Sequence, residues 1–283
     1  MSICNYCNKN EAIKNSHILP RFIFDWLKKT SGTGGMRYTL TPNKRVQDGI
    51  KVDMLCPECE KQFSQYETSF KLNVFSKIAN YRQQHDIIEL KKLDKQCIYS
   101  MAWRVLSWSY HYEKLNQFYS HELALIPKYL EILKLATKTG HSPELKTYIV
   151  PLTERIIYNA NLPSVNFMYY DRSIGMEPRI YDDMLRLFIY IKLPFILIVC
   201  ELISCDIDIW KAPQIENVSK INTLENYEIP NYVHEQIKHC YEEYLKSAKN
   251  ISPEQERLII RSLQNVSKES GTFKTLKKNE PKA

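Results

Sequence analysis

Eight cysteines occur in the 283 residues, and four of them fall in two close pairs, Cys4-Asn5-Tyr6-Cys7 and Cys56-Pro57-Glu58-Cys59. A CxxC turn aims two thiolates at one point about 2.3 Å from a metal ion, and two such turns complete a tetrahedral four-sulfur zinc site. The alternative is two unrelated redox or buried pairs. The opening MSICNYC has cysteines and an Asn where a signal peptide would be apolar, so the chain is read as cytoplasmic. In a reducing compartment, paired cysteines favour metal over disulfides. The spacing therefore predicts one structural zinc ion on Cys4, Cys7, Cys56 and Cys59. Cys97, Cys200, Cys205 and Cys240 lie in apolar or helical settings and are read as buried thiols.

The segment between the pairs must bring the second pair back to the first. Forty-eight residues separate Cys7 from Cys56, more than a simple zinc ribbon uses, with room for a loop, a helix and a hairpin. Pro20 can start a short helix with Phe22, Ile23, Trp26 and Leu27 facing inward. Thr30–Gly35 (TSGTGG) holds three of the seven glycines and reads as a loop. Residues 36–55 alternate like strands, with turn signals at Pro42-Asn43 and Asp48-Gly49, and predict a β-hairpin. The second CxxC opens a helix, because Phe63, Tyr66, Phe70 and Val74 recur at helical spacing. A knuckle, a hairpin and a second cysteine pair at the head of a helix is the order of a treble clef, placed at residues 1–82.

Residues 83–267 read as a larger α+β domain of mixed helices and antiparallel sheet. Ile98, Met101, Val105, Trp108 and Tyr112 form one apolar stripe, and Trp103, Leu106 and Tyr110 a second, which predicts a helix buried on most sides. A further helix spans Pro127–Ala136 and stops before Gly140. Strands are expected at Tyr148–Leu152, Val165–Tyr170, Arg179–Asp182, Leu185–Ile191 and Phe195–Ile203, with Pro194 between the last two and a short edge strand at Ile207–Trp210. Two helices close this region, after Pro230 and at Ser252-Pro253, where Ser252 and Gln255 make a capping box. Residues 268–283 are polar and lysine-rich and are expected to be a basic disordered tail. The most apolar stretch, Phe188–Ile203, is interrupted by Lys192, Pro194 and Glu201 and is too short for a membrane span.

Inside the cysteine frame lies Ser16-His17-Ile18-Leu19-Pro20. Here the sequence resembles the HNH (ββα-metal) endonucleases, and more narrowly a group of uncharacterised bacterial zinc proteins suspected of roles in phage defence. The CxxC, SHILPRF, PNKRVQDG and LCPECEKQFSQYE segments carry the resemblance over residues 3–75. It implies a general-base role for His17, which takes a proton from the attacking water, and imidazole suits that task at cell pH. It also implies a catalytic divalent ion, Mg2+ or Mn2+, that stabilises charge on the phosphate. Ser16 stands where the family keeps an acid, Glu60 where the helix ligand falls, and Asn43 matches the middle Asn. Glu60 and Glu67, seven apart on one helix face, and Asp48 are the carboxylates that can replace the acid. Each residue also has a bland reading: a packed histidine, a turn asparagine, solvated acids.

The net charge of +7 is uneven, with +6 over residues 1–100. That asymmetry suits a nucleic-acid partner, and Arg21, Arg37, Lys44 and Arg45 are its candidate phosphate contacts, or else plain surface charges. No GxxxxGK[ST] or GxGxxG motif is present. The histidines at 85, 111, 121, 141, 234 and 239 show no paired-ligand spacing, and the nineteen tyrosines read as core or as a surface for a protein partner. Two functions follow: a metal-dependent endonuclease, or a non-catalytic zinc module that binds nucleic acid or protein.

Overall fold

The computed structural model describes residues 2–113, 115, 118–163, 166–181, 186–264 and 266–280. The fold is α+β, with helices packed on antiparallel sheet. Its centre is a four-stranded antiparallel sheet of Lys146–Pro151, Ile196–Ile203, Arg186–Leu193 and Gly175–Tyr181, in that spatial order. Strand side chains alternate between faces. Leu187, Ile189, Ile191 and Leu193 therefore join one core, while Phe188 and Tyr190 join another on the opposite side. Both faces are covered, which explains the near-continuous apolar run read from residue 188.

The Lys92–His111 helix packs on the first face and is buried along most of its length, as its two stripes predict. Beside it runs the Ile126–Thr139 helix, which ends at Gly140 in the left-handed conformation, φ 74°. One cluster of buried residues runs continuously from Cys4 to Ile221, so the N-terminal residues share a core with the sheet.

In the N-terminal region, strand β1 (Ser16–His17) precedes the Arg21–Thr30 helix. Strands β2 (Met36–Tyr38) and β3 (Thr41–Val46) form a hairpin, and β4 (Lys51–Val52) pairs with β1. The hairpin turns at Thr39-Leu40, whereas Pro42-Asn43 lies inside β3. The Pro57–Phe70 helix follows, with Cys59, Phe63, Tyr66 and Phe70 buried, and a π turn at Lys71–Phe75 carries its axis onward to Val74.

Several expectations are corrected. Residues 167–172 form a helix, not a strand: Asn166 accepts from the Met168 N–H at its start, and the buried Lys192 ammonium donates to the Tyr169, Tyr170 and Ser173 carbonyls at its end. Val165, Asp182 and Leu185 lie outside the described residues. Residues 207–210 form no strand; Trp210 instead stacks on Tyr148 at 3.9 Å and donates to Glu201. In the tail, Gly271–Lys278 is a helix capped by Ser270, and it docks through Thr275 and Lys278 on the buried Asp171. Its long-range partners hold it, and composition is silent about them; residues 281–283 lie outside the described residues. Cys97 and Cys200 are buried as expected, but Cys205 and Cys240 are partly exposed. Among the described residues no helix is long and apolar enough to cross a membrane.

Candidate metal centre and the His17 site

The first knuckle closes on itself. Cys4 N–H donates to Asn10 O at 2.8 Å and Asn8 N–H to Cys4 O at 2.9 Å, and Asn8 takes a left-handed φ of 55° that asparagine tolerates. Tyr6, between the two cysteines, is buried edge-on against Phe63 and Trp103 and pins the knuckle to both helices. The second pair sits at a helix start: Cys56 is the N-cap, Pro57 the first residue, and Cys59 lies in the first turn. Asn5 N–H to Met54 O at 2.9 Å and Ile13 N–H to Leu55 O at 2.7 Å sew the two together.

As a result the sulfurs of Cys4, Cys7, Cys56 and Cys59 lie within 4.8 Å of one another. Ligands at about 2.3 Å on a tetrahedron stand about 3.8 Å apart, and Cys7 Sγ is 3.8 Å from Cys56 Sγ. Burial, with the neighbouring Cys56 and Cys4, pushes the Cys59 thiol up. At Cys7 burial acts the same way, but the Asn10 and Lys9 backbone N–H groups outweigh it and bring the thiol down to about 6. A cation among the four sulfurs favours the thiolate form throughout. The donor set fits a metal ion such as zinc, and Asn10 braces it from outside, with Nδ2 3.9 Å from Cys56 Sγ and 3.0 Å from Glu58 Oε2.

His17 occupies the short β1–β4 ribbon, directly opposite Lys51 in the register. Its Nε2 lies 2.9 Å from Asp48 Oδ1, and Lys51 Nζ lies 2.6 Å from Asp48 Oδ2. The Gly49 N–H also donates to Oδ1, at 2.9 Å. Partial burial works against the Asp48 carboxylate, but Lys51, His17 and Gly49 together hold its carboxyl well below the usual range. The carboxylate only accepts, so Nε2 is the donor in this bond, and in the neutral ring the lone pair falls on Nδ1. Among the described residues Nδ1 has no hydrogen-bond partner. Phe24 stacks on one side of the ring, with centroids 6.1 Å apart. The side chains of His17, Asp48 and Lys51 are 17%, 29% and 32% exposed, so solvent reaches all three. Tyr38 adds a half-exposed phenol whose OH donates to Asp48 O at 3.2 Å.

Most of the other candidates are committed to other contacts. Ser16 is buried, and its Oγ accepts from the Leu55 N–H. Asn43 Nδ2 donates to Asn250 O at 3.2 Å and its Oδ1 accepts from Ser252 N–H at 2.7 Å, so the side chain joins the hairpin to the closing helices. Glu67 is paired with the buried Arg104 at 2.8 Å. Glu60 is half-buried one residue past Cys59. Arg37 binds Pro42 O and Gln255, Arg45 binds Thr33 O, and Arg21 pairs with Asp25. Asp48, the carboxylate beside His17, already binds an ammonium and an imidazole, and among the described residues the four cysteines are the only group of three or more His, Cys, Asp or Glu side chains close enough to share one ion.

Two residues that sequence reasoning passed over complete the site. Lys51 becomes visible only through the register opposite His17. Arg104 had a signal, a lone arginine within the apolar run MAWRVLSW. No family model matches the chain, and neither a curated protein nor a solved structure matches it.

Proposed function

We propose that the N-terminal region is a zinc-held treble clef of the HNH-like kind that cleaves phosphodiester bonds in nucleic acid, with His17 as general base. The observation that carries this reading is the His17–Asp48 pair: a carboxylate at 2.9 Å takes the Nε2 side of the ring and leaves Nδ1, unpartnered among the described residues, as the lone-pair nitrogen of the neutral imidazole. Asp–imidazole pairs of this kind hold a base in the right tautomer and stabilise the imidazolium that forms on proton uptake. The cysteine pairs supply the rigid frame, and the excess positive charge of residues 1–100 suits a polyanionic substrate. The resemblance to bacterial zinc proteins suspected in phage defence points to invading nucleic acid as the biological target.

A second reading, a non-catalytic module that binds nucleic acid or a protein partner, draws on the commitments of Ser16, Asn43 and Glu67 to structural contacts. The two separate in one experiment. Metal-loaded protein is incubated with labelled DNA and RNA, with and without added Mg2+ or Mn2+, beside its His17→Ala variant. Cleavage that falls about 100- to 10,000-fold in the variant, the span of general-base contributions, supports the nuclease. Binding without cleavage under every condition overturns it in favour of the binding module.

A further inference from the structure

Asp48 gives one oxygen to the His17 imidazole and the other to the Lys51 ammonium, so protein groups already meet the charge of the carboxylate beside His17. Water is a poor nucleophile, and nucleases that use it on DNA rely on a metal ion to generate hydroxide and to neutralise the phosphate. RNA carries its own nucleophile, the 2′-hydroxyl beside each phosphate. Its attack needs only a base for one proton and a cation for the developing charge.

The ribbon presents that pair of groups. His17 and Lys51 are cross-strand partners in the β1–β4 register, and side chains so opposed share a face with Cβ atoms about 5 Å apart. One carboxylate, Asp48, holds both: Oδ1 takes the imidazole at 2.9 Å and Oδ2 the ammonium at 2.6 Å. The exposed ring of Tyr38 stands beside them with its OH on the Asp48 carbonyl, placed to stack on a base.

Resting on the nuclease reading above, we infer that this site cleaves RNA by transesterification without a catalytic metal ion. The 2′-oxygen attacks the adjacent phosphorus and passes its proton to His17 Nδ1. Lys51 stabilises the extra negative charge on the phosphorane oxygens. The P–O5′ bond breaks, the departing 5′-oxygen takes a proton from water, and His17 returns its proton to solvent. The products are a 2′,3′-cyclic phosphate and a 5′-hydroxyl end, and no oxidant or further reactant is consumed.

The test uses the metal-loaded full chain in buffer without added divalent ions. Three oligonucleotides of one sequence serve as substrates: RNA, 2′-O-methyl RNA and DNA. The expected result is cleavage of RNA alone, with 2′,3′-cyclic phosphate ends identified by mass spectrometry. Lys51→Gln should lower kcat about 100- to 1,000-fold, the usual loss for a charge-stabilising donor. Lys51→Arg, which keeps the charge, should retain a tenth or more. Cleavage of DNA or of 2′-O-methyl RNA, or 5′-phosphate products formed only on adding Mg2+, overturns the inference and leaves the nuclease reading standing. Cleavage of none of the three with or without added metal ions overturns both. RNA cleavage unaffected by Lys51→Gln removes Lys51 from the mechanism and with it the proposed site.

Discussion

Arg104, buried in the Lys92–His111 helix, donates from Nη1 to the backbone carbonyl of His17 at 3.2 Å and pairs with Glu67 at 2.8 Å. Its Nε reaches Ser100 O, and its guanidinium lies over the Phe63 ring, 5.4 Å from the centroid. One side chain thus ties the strand that carries His17 to the helix behind the cysteine pair and to the central helix of the body. A two-residue strand cannot fix a side chain by its own pairing, so His17 depends on this contact from behind and on Asp48 in front.

The ion pair has a predicted asymmetry. Glu67→Met leaves a charged guanidinium, 1% exposed, without its carboxylate, and should cost about 3–5 kcal/mol in urea denaturation. The double variant Glu67→Met/Arg104→Met should recover part of that loss, because no unpaired charge remains buried. A double variant that loses the sum of both single effects would contradict this account.

Metal should be part of the fold. Cys56→Ser should lose the ion and unfold the N-terminal region, since binding free energy at such a site is folding free energy. Elemental analysis and the amide spectrum of the variant check both statements. One zinc per chain is expected in wild-type protein purified without chelators, and its absence there would reject the site.

Asn43→Ala distinguishes a structural asparagine from a catalytic one. The hydrogen bonds to Asn250 and Ser252 predict a destabilisation of about 1 kcal/mol, typical of a removed side-chain–backbone bond. Nucleic-acid cleavage per folded molecule should stay within about twofold. A fall of a hundredfold at unchanged stability would instead place Asn43 in the chemistry.

Asp48 predicts a pH effect of definite sign. Its folded carboxyl is held below the ordinary carboxylate range, so its contribution to stability is present above about pH 4, the ordinary aspartate value. That contribution disappears as the pH falls further, toward the depressed folded value. The stability gap between wild type and Asp48→Asn should therefore be full at pH 7 and should close under acid. A gap that stays constant to pH 2 would show that the bonds to Lys51 and His17 contribute nothing through charge.

Nucleic-acid affinity should fall with salt through counterion release. Lys44 is exposed and Lys51 faces the ribbon surface, whereas Arg37 and Arg45 already serve the hairpin. Lys44→Gln with Lys51→Gln should reduce the slope of log affinity against log salt by about one for each phosphate that is no longer neutralised. Replacing Arg37 should instead loosen the hairpin from Gln255 and show in stability.

The amino-acid sequence by itself determined the parts that local chemistry governs. Two CxxC turns and the helix phased by Phe63, Tyr66 and Phe70 are short-range patterns, and so are the doubly striped Lys92–His111 helix and the stop at Gly140. Each was legible because its signal lies within one or two turns of chain. His17 stands out only through the resemblance carried by the SHILP segment between the cysteine pairs. What it touches was decided only by tertiary structure. Asp48 lies 31 residues away and Arg104 lies 87 away, and although the apolar run around Arg104 and the turn at Asp48 mark both residues locally, nothing local says that His17 is their partner. The 167–172 helix and the tail helix escaped for the same reason, since Lys192, Asp171 and Thr275 reach them from distant strands and helices. A buried ammonium or carboxylate is tolerated only where separate segments converge to satisfy it, and that convergence belongs to the folded chain alone.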